Sequence, residues 1–327
     1  MEGYDVYQDI SERTEGCIYI GVVGPVRTGK STFIKRFMDL LVLPNMDNEF
    51  KRERTRDELP QSANGKTIMT TEPKFVPNEP IELTLRENAK FKVRLVDCVG
   101  YLVEGAMGHM EDNSPRMVNT PWFEDRIPFE EAAEIGTRKV IADHSTIGLV
   151  VTTDGSITDL PRRSYIEAEE RVIKELKELD KPFIVALNSA RPKAQETIEL
   201  REALETKYNT PVMIIDALKM EMDDLEGILG KILFEFPARE INFHIPRWMD
   251  TLELDHWLKQ GIVDSIRTNL SEVNRIRDID DAIRKFDGAE NLQAVEISDM
   301  RLGEGVVNIT ISLEDGLFYR VLGEVSG

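Results

Sequence analysis

The sequence predicts an α/β protein with a mainly parallel sheet, followed by a smaller α+β domain. Three observations carry this. Short β-rich apolar runs alternate with helical patterns from residue 18 to residue 236, the rhythm of strands joined by crossover helices. The first of these runs passes directly into a glycine-rich loop and then into a helical pattern, an arrangement that builds anion sites. The rhythm then changes near Pro237 in a chain of 327 residues, long enough for two domains at about 150 residues each.

In chain order, residues 18–23, 92–97, 147–153, 182–188 and 212–215 read as strands, with 81–85 an antiparallel edge partner of the second. Helical spacing covers 32–41, 129–141 and 165–179; the last has Ile166, Ile173 and Leu176 on one face and Glu and Lys opposite, a solvated surface of i,i+4 pairs. Two stretches, 45–80 and 100–128, read as long irregular loops, the kind that are functional or mobile in compact domains. A helix over 225–236 ends at Phe236-Pro237-Ala238-Arg239, which sets the domains at 1–237 and 238–327. Beyond it 248–286 reads as mainly helical, and 294–313 as a hairpin around Gly303-Glu304-Gly305. Trp248 and Trp257 are expected to anchor the second core, with an exposed assembly patch as the alternative.

Composition narrows the function classes. Apolar residues make up 41% and charged residues 31%, which excludes disorder and fibrous repeats. Against 60 Asp+Glu stand 41 Lys+Arg, a formal charge of −19, so nonspecific nucleic-acid binding and charge-driven docking on anionic membranes are disfavoured. No basic leader precedes an apolar run and no stretch has membrane-spanning length, which predicts a cytoplasmic protein without a transmembrane segment. Cys17 and Cys98 read as buried spacers, and His109, His144, His244 and His256 lack metal-ligand spacing.

The strongest motif is Gly24-Pro25-Val26-Arg27-Thr28-Gly29-Lys30-Ser31, followed by Thr32. It matches the Walker A loop of P-loop NTPases, in which glycines let the backbone wrap phosphates, the lysine reaches the β- and γ-phosphates and the hydroxyl ligates Mg²⁺. Asp97-Cys98-Val99-Gly100 ends an apolar strand, where a carboxylate can hold Mg²⁺ and the glycine amide can meet a γ-phosphate. Thr70 or Thr71, in the loop between the two motifs, is the candidate switch threonine, also able to ligate Mg²⁺. The pattern is that of TRAFAC-type GTPases, with departures. GTPases read guanine with Asn-Lys-x-Asp, whereas here the strand ends in Asn188-Ser189-Ala190-Arg191; arginine cannot accept the guanine hydrogen bonds, which favours ATP. Tyr101 stands where many such proteins place a water-orienting glutamine, so hydrolysis is expected to be slow or to use another group to position water. The loop resembles that of guanylate-binding proteins, whose loop arginine acts as an internal finger; Arg27 is either such a finger or a surface charge.

Longer runs carry a wider resemblance: Gly21 through Ile34, Asp57-Glu58-Leu59-Pro60-Gln61-Ser62 continuing through Thr70-Thr71-Glu72-Pro73-Lys74-Phe75-Val76-Pro77, Glu131 through Ile141, and Ile166 through Val172. With them the chain resembles the stage IV sporulation protein A family, the coat-base ATPases of endospore-forming bacteria. The resemblance implies ATP and Mg²⁺ as ligands, with Lys30, Asp97 and the pair Thr70 and Thr71 as functional residues. It also implies self-association into polymers on the mother-cell side of the forespore surface, and spore coat morphogenetic proteins as partners. Family members continue into a carboxy-terminal region tied to a small amphipathic membrane-anchoring peptide, which is expected to be absent here. Two other readings stay open on the residues alone: a small-GTPase-type switch, and a scaffold whose nucleotide site is only structural.

Overall fold

The structure, a computed structural model, describes residues 5–46, 48–60, 73–85, 89–106, 110–111 and 114–326. Its elements run α1 (Val6–Arg13), β1 (Cys17–Val23), α2 (Lys30–Phe37), α3 (Glu49–Asp57), β2 (Lys74–Leu85), β3 (Ala89–Asp97), then the short strands β4 (Met110–Glu111), β5 (Ser114–Pro115), β6 (Met117–Thr120) and β7 (Phe123–Pro128). They continue as α4 (Phe129–Asp143), β8 (Ile147–Thr153), α5 (Ile166–Glu178), β9 (Phe183–Asn188), α6 (Gln195–Tyr208), β10 (Val212–Ile215) and α7 (Met222–Phe234). The last elements are β11 (Glu240–His244), α8 (Trp257–Asn269), α9 (Asp278–Arg284), β12 (Leu292–Arg301), β13 (Val306–Leu313) and α10 (Leu317–Ser326). Contacts divide the chain into one unit of Thr14–Ile232 and another of Met1–Arg13 with Leu233–Gly327.

In the first unit six strands form one sheet in the order β10-β9-β8-β1-β3-β2. Neighbours pair in parallel except β2 against β3. Every residue of β8 and β9 is buried, as strands covered by helices on both faces must be, and this is why they read as unbroken apolar runs. From β1 the chain passes to β3 on one side and afterwards to β8, β9 and β10 on the other. The order therefore reverses at β1, and the crevice outside the carboxyl ends of the strands there is where open α/β sheets place ligands.

The parallel strands of this sheet sit where apolar runs predicted them, but the antiparallel edge expected over 81–85 is longer, β2 starting at Lys74 within the predicted loop 45–80. The helices differ more. The predicted helix 32–41 is α2 followed by a π-helical turn, Met38–Val42. The predicted loop 45–80 contains α3, which buries only Thr55 and so offers no apolar stripe. Its signals are local: the Asn48 side chain accepts from the Lys51 backbone N–H, Glu49 lies in the first turn, and Arg54 and Arg56 in the last. α6 escaped for the same reason, burying just Thr197, Leu204 and Tyr208. The predicted loop 100–128 holds two small antiparallel pairs, β4 with β5 and β6 with β7.

The second unit has a three-stranded sheet, β11-β13-β12, in which the predicted hairpin is joined by β11 in parallel to β13. α1 belongs here, although residues 1–13 were assigned by sequence to the first domain. The Gly303 N–H donates to Asp9 Oδ1 at 3.0 Å and Arg13 Nη2 donates to the Pro237 carbonyl at 3.1 Å. Trp248 packs against the cluster of Met249, Leu258, Ile262 and Ile311 as expected. Trp257 does not: it is 45% exposed, because the buried stripe of α8 runs through Leu258 and Ile262, and its indole N–H donates to Glu324 at 3.1 Å.

Candidate functional site

The loop 24–29 joins the end of β1 to α2 at the crevice. Gly24 has φ +135°, and a Cβ there would lie 2.3 Å from the Val151 carbonyl oxygen; Gly29 has φ +94°, and a Cβ there would lie 2.3 Å from Asn188 Nδ2. Side chains at either position are excluded, which is the physical content of the two glycines in the motif. Between them Arg27 also takes a left-handed conformation, φ 62°, uncommon for arginine. The Thr28 hydroxyl donates to the Pro25 carbonyl at 3.0 Å and closes the loop from within. α2 opens directly after Gly29, so its first unpaired N–H groups and positive end stand over the loop.

Lys30 is 5% exposed. Its ammonium donates to the Pro25 carbonyl at 2.6 Å and the Gly24 carbonyl at 3.3 Å, leaving one of three donors for an incoming oxygen. Burial pulls its pKa down, against the charges of Cys98 and Asp97. Ser31 donates its hydroxyl to Asp97 Oδ2 at 2.7 Å, a meeting set by the parallel register that places Val22 beside Asp97. The other oxygen, Asp97 Oδ1, is buried without a hydrogen-bond partner. Burial raises this carboxyl, against the Ser31 hydrogen bond and the Lys30 charge. A hydroxyl beside an unpartnered carboxylate oxygen is a hard-oxygen donor pair that suits Mg²⁺, and the residues present fit that ion. Among the described residues no cluster of three or more His, Cys, Asp or Glu could hold a metal, so an ion here would complete its shell with phosphate oxygens and water. Thr32 follows on α2, partly buried. Thr70 and Thr71 lie outside the described residues.

Of the strand-end residues after β9, Asn188 braces the loop 24–29, and Ser189 and Arg191 have other partners. Asn188, 4% exposed, donates from Nδ2 to the Thr28 carbonyl at 3.0 Å and accepts at Oδ1 from the Ala217 N–H at 3.0 Å. Both ends of its amide are spent on holding the loop 24–29 to the segment after β10. Ser189 is buried and turns its hydroxyl to Asp154 Oδ2 at 2.6 Å, and Arg191, exposed, donates its backbone N–H to Ser189 Oγ at 2.9 Å.

Sequence reasoning missed the groups behind this site. Asp154, one residue past β8, also accepts from Ser156 at 2.5 Å and Thr197 at 3.1 Å. Glu169, fully buried, accepts both arms of Arg162 at 2.6 Å, Tyr208 Oη at 2.7 Å and the Thr152 hydroxyl. The available signal was Asp154-Gly155 at the end of an apolar strand, the position where ligand-proximal carboxylates of parallel sheets lie. Glu169 gave none, since a glutamate in a charged helix reads as surface.

Residues 1–237 match the family described as stage IV sporulation protein A, ATPase domain, and residues 238–327 match its middle domain. The chain is 53% identical over 323 residues to the stage IV sporulation protein A of Clostridioides difficile (strain 630), covering 99% of this chain and 66% of that protein. It is 51% identical to the protein of that name from Bacillus subtilis (strain 168) and 50% to that from Bacillus anthracis, in each case over 100% of this chain and 66% of the relative. The chain thus spans 66% of the length of these curated relatives. With the two domain families matched end to end and half of all residues shared with each relative, the chain belongs to the stage IV sporulation protein A family.

Proposed function

We propose that residues 1–237 form a P-loop ATPase domain related to TRAFAC-type GTPases, which binds ATP with Mg²⁺ and hydrolyses it slowly. The observation that carries this is Lys30, buried within the loop 24–29 with its ammonium on two loop carbonyls, next to the Ser31 and Asp97 pair and its unpartnered oxygen. The loop N–H groups and the third Lys30 donor hold the β- and γ-phosphates. Mg²⁺, held by Ser31 and Asp97 with Thr70 or Thr71, supplies charge neutralisation on the transferring phosphoryl group. Arg27 lies in the same loop and can add positive charge at the bridging oxygen. Loss of guanine reading follows from Ser189 facing Asp154 and Arg191 standing exposed, so neither offers the acceptor pair that guanine requires.

In the family setting this domain drives self-association, and the whole protein forms the base layer of the spore coat on the mother-cell face of the forespore, with coat morphogenetic proteins and a small amphipathic anchoring peptide as partners. Among the described residues no helix is long and apolar enough to cross a membrane, and attachment through partners is consistent with that. Competition between ATP and GTP for hydrolysis, with Lys30→Ala as control, tests the reading. ATP turnover that Lys30→Ala abolishes is the expected result. A GTP preference would support a switch GTPase instead, and tight binding without turnover a structural nucleotide.

A further inference from the structure

Tyr101 follows directly on the Asp97–Gly100 segment yet is only 2% exposed. Its backbone faces the loop 24–29: the Val26 N–H donates to the Tyr101 carbonyl at 3.0 Å, and Pro25 forms a parallel bridge with Tyr101. Its side chain faces α5, where the phenol donates to Glu175 Oε2 at 2.6 Å. Arg171, one turn earlier on α5, sets its guanidinium 4.5 Å from the ring centroid. That arginine is itself held by Glu134 of α4 through two hydrogen bonds, one of 2.8 Å. Burial, the hydrogen bond to Glu175 and the charge of Glu175 push the phenol pKa up, so it stays a donor.

The preceding residue is where this matters. Gly100 has φ +90°, and a Cβ there would lie 2.1 Å from the Gly24 carbonyl oxygen and 2.7 Å from Lys30 Nζ. The Gly100 backbone therefore lies against both the loop and the ammonium, and a phosphate taken by Lys30 meets it. Tyr101 is bonded to the loop by its backbone and to α5 by its hydroxyl, so it fixes how far Gly100 can move. A hydrogen bond to a carboxylate is among the stronger neutral-donor contacts, and a displacement of about 1 Å in a group that positions substrate can cost about a hundredfold in rate.

Resting on the ATPase reading above, we propose that Tyr101 is a positioning residue: through its hydrogen bond to Glu175 it holds Gly100 and the loop 24–29 in the spacing that phosphoryl transfer requires. The hydroxyl is committed to Glu175, so the residue acts through geometry and does not orient the attacking water.

The test is steady-state ATPase activity together with affinity for a nonhydrolysable ATP analogue in the parent, Tyr101→Phe, Glu175→Ala, Glu175→Gln and the double variant Tyr101→Phe with Glu175→Ala. Thermal unfolding of each checks the fold. Tyr101→Phe keeps the ring under Arg171 and should lower kcat about tenfold with analogue affinity within about twofold. Glu175→Ala should match it, the double variant should fall no further, and Glu175→Gln, which still accepts, should recover most of the loss. An unchanged kcat in Tyr101→Phe, an affinity loss equal to the rate loss, or losses that multiply in the double variant would each overturn the proposal. A parent that hydrolyses no ATP overturns the ATPase reading itself, whereas an active parent with unaffected variants overturns only the role of Tyr101.

Discussion

Replacing Asn188 by alanine removes the brace behind the loop 24–29. The amide makes two hydrogen bonds of 3.0 Å, to the Thr28 carbonyl and from the Ala217 N–H, and Thr28 and Ala217 are 0% and 1% exposed. Alanine leaves one buried carbonyl and one buried N–H without these partners, at about 1–3 kcal/mol each. Relaxation of the loop into the vacated space lowers the total, since Gly29 packs directly against Nδ2, so about 2–4 kcal/mol is expected. In a unit of this size each kcal/mol moves Tm by about 2–4 °C, which predicts a drop of about 4–16 °C. Thermal unfolding by circular dichroism reads it, and analogue affinity measured in parallel should fall as well. Asn188→Asp separates the two bonds: it still accepts from Ala217, recovering part of the stability, but it sets a negative charge beside the Thr28 carbonyl and any bound phosphate, so it should bind a triphosphate more weakly than alanine does. A Tm drop under about 2 °C in Asn188→Ala would refute the brace.

Two further predictions concern the same crevice. Burial works to raise the Asp154 carboxyl, but hydrogen bonds from Ser156, Ser189 and Thr197 outweigh it and hold the pKa below its ordinary 3.8. Because the folded pKa lies below the unfolded one, the stabilisation is full above 3.8 and is lost as pH falls through the folded value. Asp154→Asn should therefore cost about 1–2 kcal/mol near neutral pH and progressively less in acid, read from urea midpoints; a gap that stays constant with pH would sink this. Arg27 holds a left-handed conformation, φ 62°, at about 1 kcal/mol of strain that glycine would not bear. Arg27→Gly should leave stability within about 1 kcal/mol of the parent while lowering ATP turnover far more than analogue affinity; parallel losses of rate and affinity would make Arg27 a ground-state contact.

What the sequence made legible follows from what each element hides. β8 and β9 are buried along their whole length, so their residues must be apolar on both faces and the runs stand out. α3 and α6 bury one and three residues, so no periodicity marks them. The loop 24–29 was legible because its glycines answer to steric demands at fixed spacing. Ser31 and Asp97 were legible as candidate Mg²⁺ ligands, but their direct hydrogen bond and the bond of Lys30 to the Pro25 carbonyl are set by the fold and carry no sequence signal. Glu169 was not legible, because its four donors come from β8, the loop before α5, and α6, which sequence spacing does not bring together. The placement of α1 was hidden for the same reason: the Asp9 contact with Gly303 joins residues 294 positions apart.

In the segment after β9 the side chain that braces the loop 24–29 is separate from the side chains at positions 189 and 191. Here the bracing residue, Asn188, keeps both of its hydrogen bonds. Ser189 is buried against Asp154, and Arg191 stands exposed with its backbone N–H on Ser189. Ser189 belongs to the Asp154 network, where its hydrogen bond of 2.6 Å helps hold the carboxylate ionised. Of these side chains only Asn188 is bonded to the loop 24–29, on which Lys30 rests. On the ATPase reading proposed above, substitutions at Ser189 and Arg191 should therefore alter base preference while leaving the loop 24–29 in shape, whereas Asn188→Ala should disturb the loop itself.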